Sequence, residues 1–239
     1  EAGNAHYIRM NELTLAEWSL RPADLPARII LERSIAYHDP KGAWASGRFE
    51  FNLYETRPSG KDRNTRLVID NGADAFEMRR IDGPDSIYRS SDPTGCQVFI
   101  NGQEKQFVEA MEINALRCKD NQRYRNYYTY LYGLPMKLLD EGTLIDTQAR
   151  YRYFFGVEYY EIKVTYAAGV GNDIWYFYFD KLTYALRGYR FYHNEAANDG
   201  EYILLEGETE AGPLRVPQKR HWYSHQDRLF LGTDELLGY

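Results

Sequence analysis

Residues 174–179 read Ile-Trp-Tyr-Phe-Tyr-Phe, an unbroken run of apolar and aromatic side chains. A short run of this kind is typical of a β-strand that is covered on both of its faces. Residues 160–166 before it alternate between apolar and polar side chains, the pattern of a half-buried strand. Residues 180–183 favour a hairpin turn into a further strand over residues 184–193. This part of the chain therefore predicts an antiparallel sheet with residues 174–179 at its centre.

The same alternation recurs on both sides of the run, with turn signals between the segments. The predicted strands centre on residues 49–53, 67–69, 76–78 and 96–100 in the first half, and on residues 202–206, 214–223 and 229–231 at the end. Short strands at hairpin spacing indicate an antiparallel meander.

Two parts of the chain have helical spacing instead. Asp24-Leu25-Pro26 predicts a helix start with Asp24 as N-cap, and Asp39-Pro40 predicts the end of that helix. In the middle of the chain, apolar residues form two helical stripes. The first stripe is Phe107, Val108, Met111, Ala115 and Cys118, and the second is Tyr124, Tyr127, Tyr128 and Leu131.

The composition narrows the class of protein. Aromatic residues make up 15% of the 239 residues, with 22 Tyr among them, which favours pleated surfaces and large cavities. The formal net charge of −6 argues against a nucleic-acid-binding surface, which needs a basic patch. No apolar run reaches the length of a transmembrane helix.

Three strings carry a family resemblance: Tyr132–Gly142, Gly169–Asp173 and Trp175–Tyr184. With the order of elements, they make the chain resemble an uncharacterised bacterial lipoprotein-like family, whose members look like the lipoprotein-localisation factors LolA and LolB. The resemblance covers about Ala27 to the C-terminus. It implies an α+β fold, mainly antiparallel β, in which helices pack in the concave face of a half-open barrel. We therefore expect an N-terminal extension over residues 1–23 and a single LolA/LolB-like domain over residues 24–239.

The resemblance also implies a location and a ligand class. Members of the family usually follow a secretion or lipoprotein signal, so we expect an export signal ahead of Glu1 and a protein in the periplasm or anchored to the outer membrane. The localisation factors hold lipid acyl chains in their cavity, which implies an apolar or lipid-like ligand here. Because the helical stripe must be buried against the sheet, we expect the cavity to be lined from both sides. The predicted lining is Phe51, Phe76, Met78, Arg79, Tyr124, Tyr127, Tyr128, Leu131, Tyr160 and Ile162.

Other motifs point to structure rather than to chemistry, and we expect no cofactor and no metal. Asp140 and Asp180 both lie in turn contexts, where an Asp side chain binds backbone amides. As a pair of carboxylates they also leave open the alternative that the protein is a carboxylate-dependent hydrolase. His221 and His225 would lie about 13 Å apart along a strand, too far to share a metal. His38 lies at a predicted helix end, where a histidine is favourable by itself.

Two cysteines, Cys96 and Cys118, occur in the chain. Each lies on the apolar side of its predicted element, so we expect both side chains in the core. They could form one disulfide in an oxidising compartment, and the sequence leaves open whether they are bridged.

Three functions follow from these patterns. The first is a cell-envelope binding module for an apolar or amphipathic ligand, a function that needs no catalytic activity. The second is the carboxylate-dependent hydrolase. The third is an interaction module that presents an aromatic sheet face to a glycan or to a protein.

Overall fold

The computed structural model describes residues 21–104 and 117–237. Fifteen strands lie in these residues. In chain order they are β1 (Pro22–Pro26), β2 (Arg48–Thr56), β3 (Arg63–Asp70), β4 (Ala75–Asp82), β5 (Asp85–Asp92), β6 (Gly95–Ile100), β7 (Gln103–Glu104), β8 (Thr143–Ile145), β9 (Gln148–Phe154), β10 (Val157–Tyr166), β11 (Ile174–Phe179), β12 (Leu186–Asn194), β13 (Asp199–Ala211), β14 (Leu214–Ser224) and β15 (Phe230–Leu237).

Two α-helices accompany the strands in the described residues, α1 (Ala27–His38) and α2 (Asn121–Gly133). Short 3-10 helices lie at Ala43–Ala45, Cys118–Asp120 and Met136–Leu139. Neither α1 nor α2 is long and apolar enough to cross a membrane. The predicted stripe at residues 107–115 lies outside the described residues.

The chain divides into two compact units. The first contains the residues up to His38, Leu138–Leu205 and Trp222–Phe230, and the second contains Asp39–Lys137, Glu206–His221 and the residues from Leu231 onward. Strands β13 and β14 contribute residues to both units.

In the first unit the strand order is β1-β9-β10-β11-β12-β13, and every pair in it is antiparallel. Strand β11 lies between β10 and β12. Its residues Tyr176 to Phe179 are buried on both faces of the sheet. The central, doubly covered strand predicted from residues 174–179 is confirmed. Its Asp180 accepts hydrogen bonds from the backbone amides of Leu182 and Thr183, so the predicted turn is confirmed too.

The start of the first helix differs from the prediction. Asp24 is not an N-cap, because residues 22–26 form β1 and pair with β9. The Asp24 carboxylate accepts hydrogen bonds from the hydroxyls of Tyr151 and Tyr160, which lie on β9 and β10. These partners are distant in sequence, so local capping signals could not reveal them. The helix ends at His38 as predicted, and the buried His38 ring accepts a hydrogen bond from the amide of Leu186.

In the second unit the strand order runs β13-β14-β15-β2-β3-β4-β5-β6-β7, and the pairs from β15 to β7 are antiparallel. The predicted strands over residues 49–53, 67–69, 76–78 and 96–100 are confirmed as parts of β2, β3, β4 and β6. Strand β5 has little apolar alternation and was not predicted. The register places Phe51 opposite Leu67, and Leu67 opposite Met78, so these apolar side chains share one face.

The disulfide is formed, but one of its cysteines is not in the core. Cys96 and Cys118 are bridged, with their Cα atoms 5.6 Å apart. Cys96 is exposed and Cys118 is half-buried, so the predicted burial of both is wrong. Cys96 lies near the start of β6, beside the hairpin turn, where side chains on either face meet solvent. The bridge ties β6 to the segment directly before α2.

Candidate functional site

One face of the second unit changes from apolar to charged along its strands. Residues Phe49, Phe51 and Leu53 of β2 are buried on this face, and Glu55 follows them at the same alternation. On β4, Arg80 follows Phe76 and Met78 in the same way, and its partner across the ladder is Thr65 of β3. The period-two side-chain pattern therefore places Glu55, Thr65 and Arg80 together at one end of the face that Phe51, Leu67 and Met78 share.

Helix α2 is fixed to strands β5 and β6 through its first residue. The buried Asn121 side chain donates hydrogen bonds to the backbone oxygens of Ser90 at 2.8 Å and Gln97 at 3.1 Å. It also accepts a hydrogen bond of 3.1 Å from the guanidinium of Arg89 on β5. One turn and two turns further along α2, Tyr124 and Tyr128 follow. The sequence spacing thus brings tyrosines and arginines together.

A cavity of about 300 Å³ lies between α2 and strands β2 to β4. We name it the Arg–Tyr pocket, and its lining is Glu55, Arg63, Arg80, Arg123, Tyr124, Tyr127 and Tyr128. Its volume is at the lower end of the range of about 300–1,000 Å³ for small-molecule sites. Its walls combine aromatic rings with charged groups, so it is suited to the polar end of a ligand rather than to a purely apolar one.

The base of the pocket is a buried ion network. The Glu55 carboxylate, 2% exposed, lies 3.2 Å from the guanidinium of Arg63, 3.4 Å from that of Arg57 and 3.7 Å from that of Arg80. It also accepts a hydrogen bond from the hydroxyl of Thr65, which in turn accepts one of 3.1 Å from Arg80. Three arginines and a hydroxyl thus hold this carboxylate, and Arg57 also lies 3.0 Å from the buried Asp234, which is opposite Glu55 across the ladder.

Tyr128 closes the network from the helix. Its hydroxyl accepts a hydrogen bond from Arg80 and donates one of 3.5 Å to Glu55. Burial raises the pKa of Tyr128, so the phenol stays protonated at neutral pH. The pKa of Arg80 is raised because Tyr128 and Glu55 outweigh the opposing effect of burial. The network therefore joins helix α2 to strands β2 and β4 through the Tyr128 hydroxyl.

The predicted lining residues have different positions. Tyr124, Tyr127 and Tyr128 line the Arg–Tyr pocket, with Tyr127 45% exposed. Four others are buried in the core of the second unit, where Phe76 stacks on Tyr128 with 6.5 Å between ring centroids. These four are Phe51, Phe76, Met78 and Leu131.

The last three predicted residues lie elsewhere. Tyr160 and Ile162 are buried in the first unit, on β10. Arg79 is exposed, and its guanidinium lies 5.8 Å from the centre of the Tyr88 ring, so it does not belong to the buried face of β4. Alternation along β4 places Arg80 rather than Arg79 beside Met78, and this signal was already present in the sequence.

A second depression, of about 480 Å³, is lined by Pro22, Asp146, Thr147, Gln148 and Arg150 in the first unit. It is larger than the Arg–Tyr pocket, but its lining has no aromatic ring and a single cation. Aromatic walls with a few convergent polar groups are more typical of a ligand site. We therefore take the smaller pocket as the candidate site.

The remaining motifs have structural partners. His221 contacts the hydroxyl of Thr233 at 2.8 Å, whereas the His225 ring stacks on Tyr192 with 4.3 Å between centroids. In the first unit, the buried Glu161 carboxylate lies 3.0 Å from Arg152 and 3.3 Å from Arg190. Within residues 21–104 and 117–237, no group of three or more His, Cys, Asp or Glu side chains could hold a metal ion.

Known structures share the fold at low sequence identity. A LolA superfamily protein from Nitrosomonas europaea aligns with a TM-score of 0.51 and 12% identity, over 90% of this chain and 92% of its own. A putative outer membrane lipoprotein-sorting protein domain from Vibrio parahaemolyticus aligns with a TM-score of 0.50 and 10% identity, over 88% of this chain and 89% of its own. These likenesses confirm the predicted fold class, α+β with a mainly antiparallel, LolA-like sheet.

No curated protein matches the sequence significantly. The profile of a family of unknown function, DUF6503, matches residues 15–238. This match covers nearly the whole chain, and it supports the predicted resemblance to an uncharacterised family with a LolA-like fold. The chain therefore belongs to the DUF6503 family.

Proposed function

We propose that this chain is a cell-envelope binding module that holds an amphipathic, lipid-like ligand, with the polar end of the ligand in the Arg–Tyr pocket. The observation that carries the proposal is the pocket itself. It is bounded by a helix on one side and by the sheet of the second unit on the other, and it combines three tyrosines with three arginines. Such a lining offers apolar ring faces and hydrogen-bond donors to the same molecule.

The location in the envelope has independent support from the cysteines. The bridge between Cys96 and Cys118 joins an exposed to a half-buried residue. Disulfides form and persist in oxidising compartments such as the periplasm and are rare in the cytosol of mesophiles. The Vibrio parahaemolyticus neighbour, described as an outer membrane lipoprotein-sorting domain, agrees with an envelope role.

The hydrolase alternative is less favoured by the described residues. Glu55 and Glu161 are buried carboxylates held by arginines. Glu55 lies opposite the buried Asp234 across the ladder between β2 and β15, and Arg57 contacts both carboxylates. Asp180 accepts turn hydrogen bonds, as a structural residue does. Arg57 is a shared cationic partner of Glu55 and Asp234, whereas acid–base hydrolysis uses two carboxylates whose environments separate their pKa values.

One specific observation supports the alternative of an interaction module. Phe155 and Val157, at the turn between β9 and β10, are each about half exposed. The ring of Phe155 lies 5.2 Å from that of Tyr202, so the exposed edge continues into a buried aromatic cluster. If no small ligand binds, this edge in the first unit is the next surface to test, with a Phe155→Ser variant in a pull-down experiment.

Titration with a fluorescent fatty acid, a dansyl-labelled undecanoic acid, tests the binding proposal. We expect saturable binding at one site per chain, and weaker binding by a Tyr127→Trp variant, whose larger ring narrows the mouth of the pocket. A Leu182→Trp variant is the matched control, because Leu182 is 90% exposed in the first unit. Absence of saturable binding by the parent, or equal binding by the Tyr127→Trp variant, would contradict the proposal.

A further inference from the structure

Positive charge accumulates in the Arg–Tyr pocket although the whole chain is acidic. The formal net charge of the chain is −6, yet the pocket is lined by three arginines and a single carboxylate. That carboxylate, Glu55, is already engaged by Arg57, Arg63 and Arg80. Arg57 also contacts the buried Asp234, so four arginines in or beside the pocket face two buried carboxylates.

The excess charge is concentrated around Tyr124. The centre of its ring lies 4.2 Å from the guanidinium of Arg89, 5.4 Å from that of Arg123 and 5.9 Å from that of Arg80. Each cation is attracted by the face of an aromatic ring, but the cations repel one another. Burial lowers the pKa of Arg89, and the nearby charges of Arg80 and Arg123 act in the same direction, whereas Tyr124 and Asp120 oppose them.

Arg123 differs from the arginines that form the ion network. Its side chain is on the exposed side of α2, and among the described residues it forms no ion pair with a carboxylate. It therefore keeps its donors for a ligand. Arg80, opposite it, is held by Thr65 and Tyr128, so its position is fixed. A fixed and an adjustable guanidinium on the same pocket can grip one anion from two sides.

We infer that the polar end of the ligand is an anion, a carboxylate or a phosphate monoester, bound between Arg80 and Arg123. This inference rests on the proposed function and specifies its ligand class. An anion there relieves the repulsion among the three guanidinium groups around Tyr124. The half-exposed ring of Tyr127, at the mouth of the pocket, adds an apolar face for the first methylene groups of the chain.

Calorimetric titration with three ligands of one chain length separates the anion from the chain. The ligands are dodecanoate, dodecyl phosphate and the uncharged methyl dodecanoate, each below its micellar concentration. We expect at least one of the two anions to bind about tenfold more tightly than the ester at low ionic strength, and we expect 0.5 M NaCl to reduce that preference. The tighter of the two anions identifies the head group as a carboxylate or a phosphate.

Variants locate the effect. We expect Arg123→Gln to abolish most of the preference for the anion, and Arg80→Gln to do the same if the variant folds. Because Arg123 is exposed, its replacement leaves the fold intact and keeps the test decisive. Arg79→Gln on the opposite face of β4 is the matched control and should bind like the parent.

The outcomes distinguish the two proposals. Equal affinity for the ester and both anions, or an unchanged preference in Arg123→Gln, overturns the anion site and leaves the lipid-binding function standing. Binding of none of the dodecyl ligands overturns the proposed function. Inorganic phosphate, titrated in parallel, is the fourth probe. If it binds and no dodecyl ligand does, the anion site is supported and a lipid-like ligand is contradicted.

Discussion

The guanidinium of Arg89 on β5 lies 4.2 Å from the centre of the Tyr124 ring on α2. Arg89 is 1% exposed, and it reaches the helix a second time through its hydrogen bond to Asn121. A buried arginine is costly unless its charge is well solvated by protein groups. By placing this cation behind the aromatic wall, the fold fixes the helix and adds positive potential to the pocket.

The hydroxyl of Tyr128 should contribute measurably to stability. A Tyr128→Phe substitution removes a group that bonds to both Arg80 and Glu55. Hydrogen bonds to charged groups are worth about 1.5–3 kcal/mol, so we expect a loss of this size in the free energy of unfolding. Urea denaturation measures it. The exposed Tyr127→Phe control should change stability by no more than about 0.5 kcal/mol, and equal effects of both substitutions would contradict the network.

The central strand of the first unit should be the most sensitive to truncation. Phe177 is fully buried on β11, and its replacement by alanine should cost about 3–5 kcal/mol, the range for large aromatic side chains in cores. Leu182→Ala, at the exposed turn that follows, should be nearly neutral. Melting temperatures of the two variants check this. If Phe177→Ala melted within a degree or two of the parent, β11 would not be a core strand.

Much of the fold could be predicted from alternation alone, because side-chain period is a local property. Phe49, Phe51 and Leu53 are buried as their spacing indicates, and α2 contains the predicted tyrosine stripe. The candidate site was harder to predict, because its key residues are charged. Nothing local in β5 marks Arg89 for burial, since its partners Asn121 and Tyr124 lie more than 30 residues away.

Two further differences have the same cause. Strand β1 exists because Pro22–Pro26 pairs with β9, more than 120 residues later in the chain, and capping signals cannot register that pairing. Cys96 points to the same face of β6 as the buried Val98 and yet is exposed. Alternation along a strand predicts which face a side chain is on, but not where the elements packed on that face end. Tertiary context decides both, so neither is visible in a short window of sequence.

The disulfide should stabilise the segment that leads into α2. The bridge closes a loop with a sequence separation of 22 residues, and a loop of this length corresponds to about 3 kcal/mol in the chain-entropy description. We expect a Cys96→Ser, Cys118→Ser double variant to lose about 2–4 kcal/mol in urea denaturation. The parent protein should be produced by export and kept free of reductant. Thiol titration after denaturation should then find no free thiol. Two reactive thiols in that sample would show that the bridge is not formed.

Acidification should destabilise the chain partly through His225. Burial, reinforced by the Arg190 cation, lowers the pKa of His225 to about 4, whereas an unfolded histidine titrates at about 6.5. Below about pH 6.5 the unfolded chain therefore binds a proton that the folded chain does not bind. The contribution of the neutral ring is complete above that pH and is lost as the pH falls toward about 4.

A His225→Phe variant isolates this effect, because it keeps an aromatic ring stacked on Tyr192 and cannot titrate. Melting temperatures of parent and variant between pH 7 and pH 4.5 provide the comparison. We expect the melting temperature of the variant to fall less steeply with decreasing pH. Parallel curves would mean that the protonation of His225 does not differ between the folded and unfolded states.

Native mass spectrometry of the chain purified from its own host tests the binding function most directly. We predict a complex of one chain with one small molecule, released on activation in the gas phase as an anionic amphiphile, a fatty acid or a phosphate-bearing lipid. An Arg123→Gln variant from the same host should carry much less of it, and Arg79→Gln should carry as much as the parent. Parent protein that is free of any bound amphiphile, and that acquires none when mixed with a total lipid extract of that host, would contradict the account.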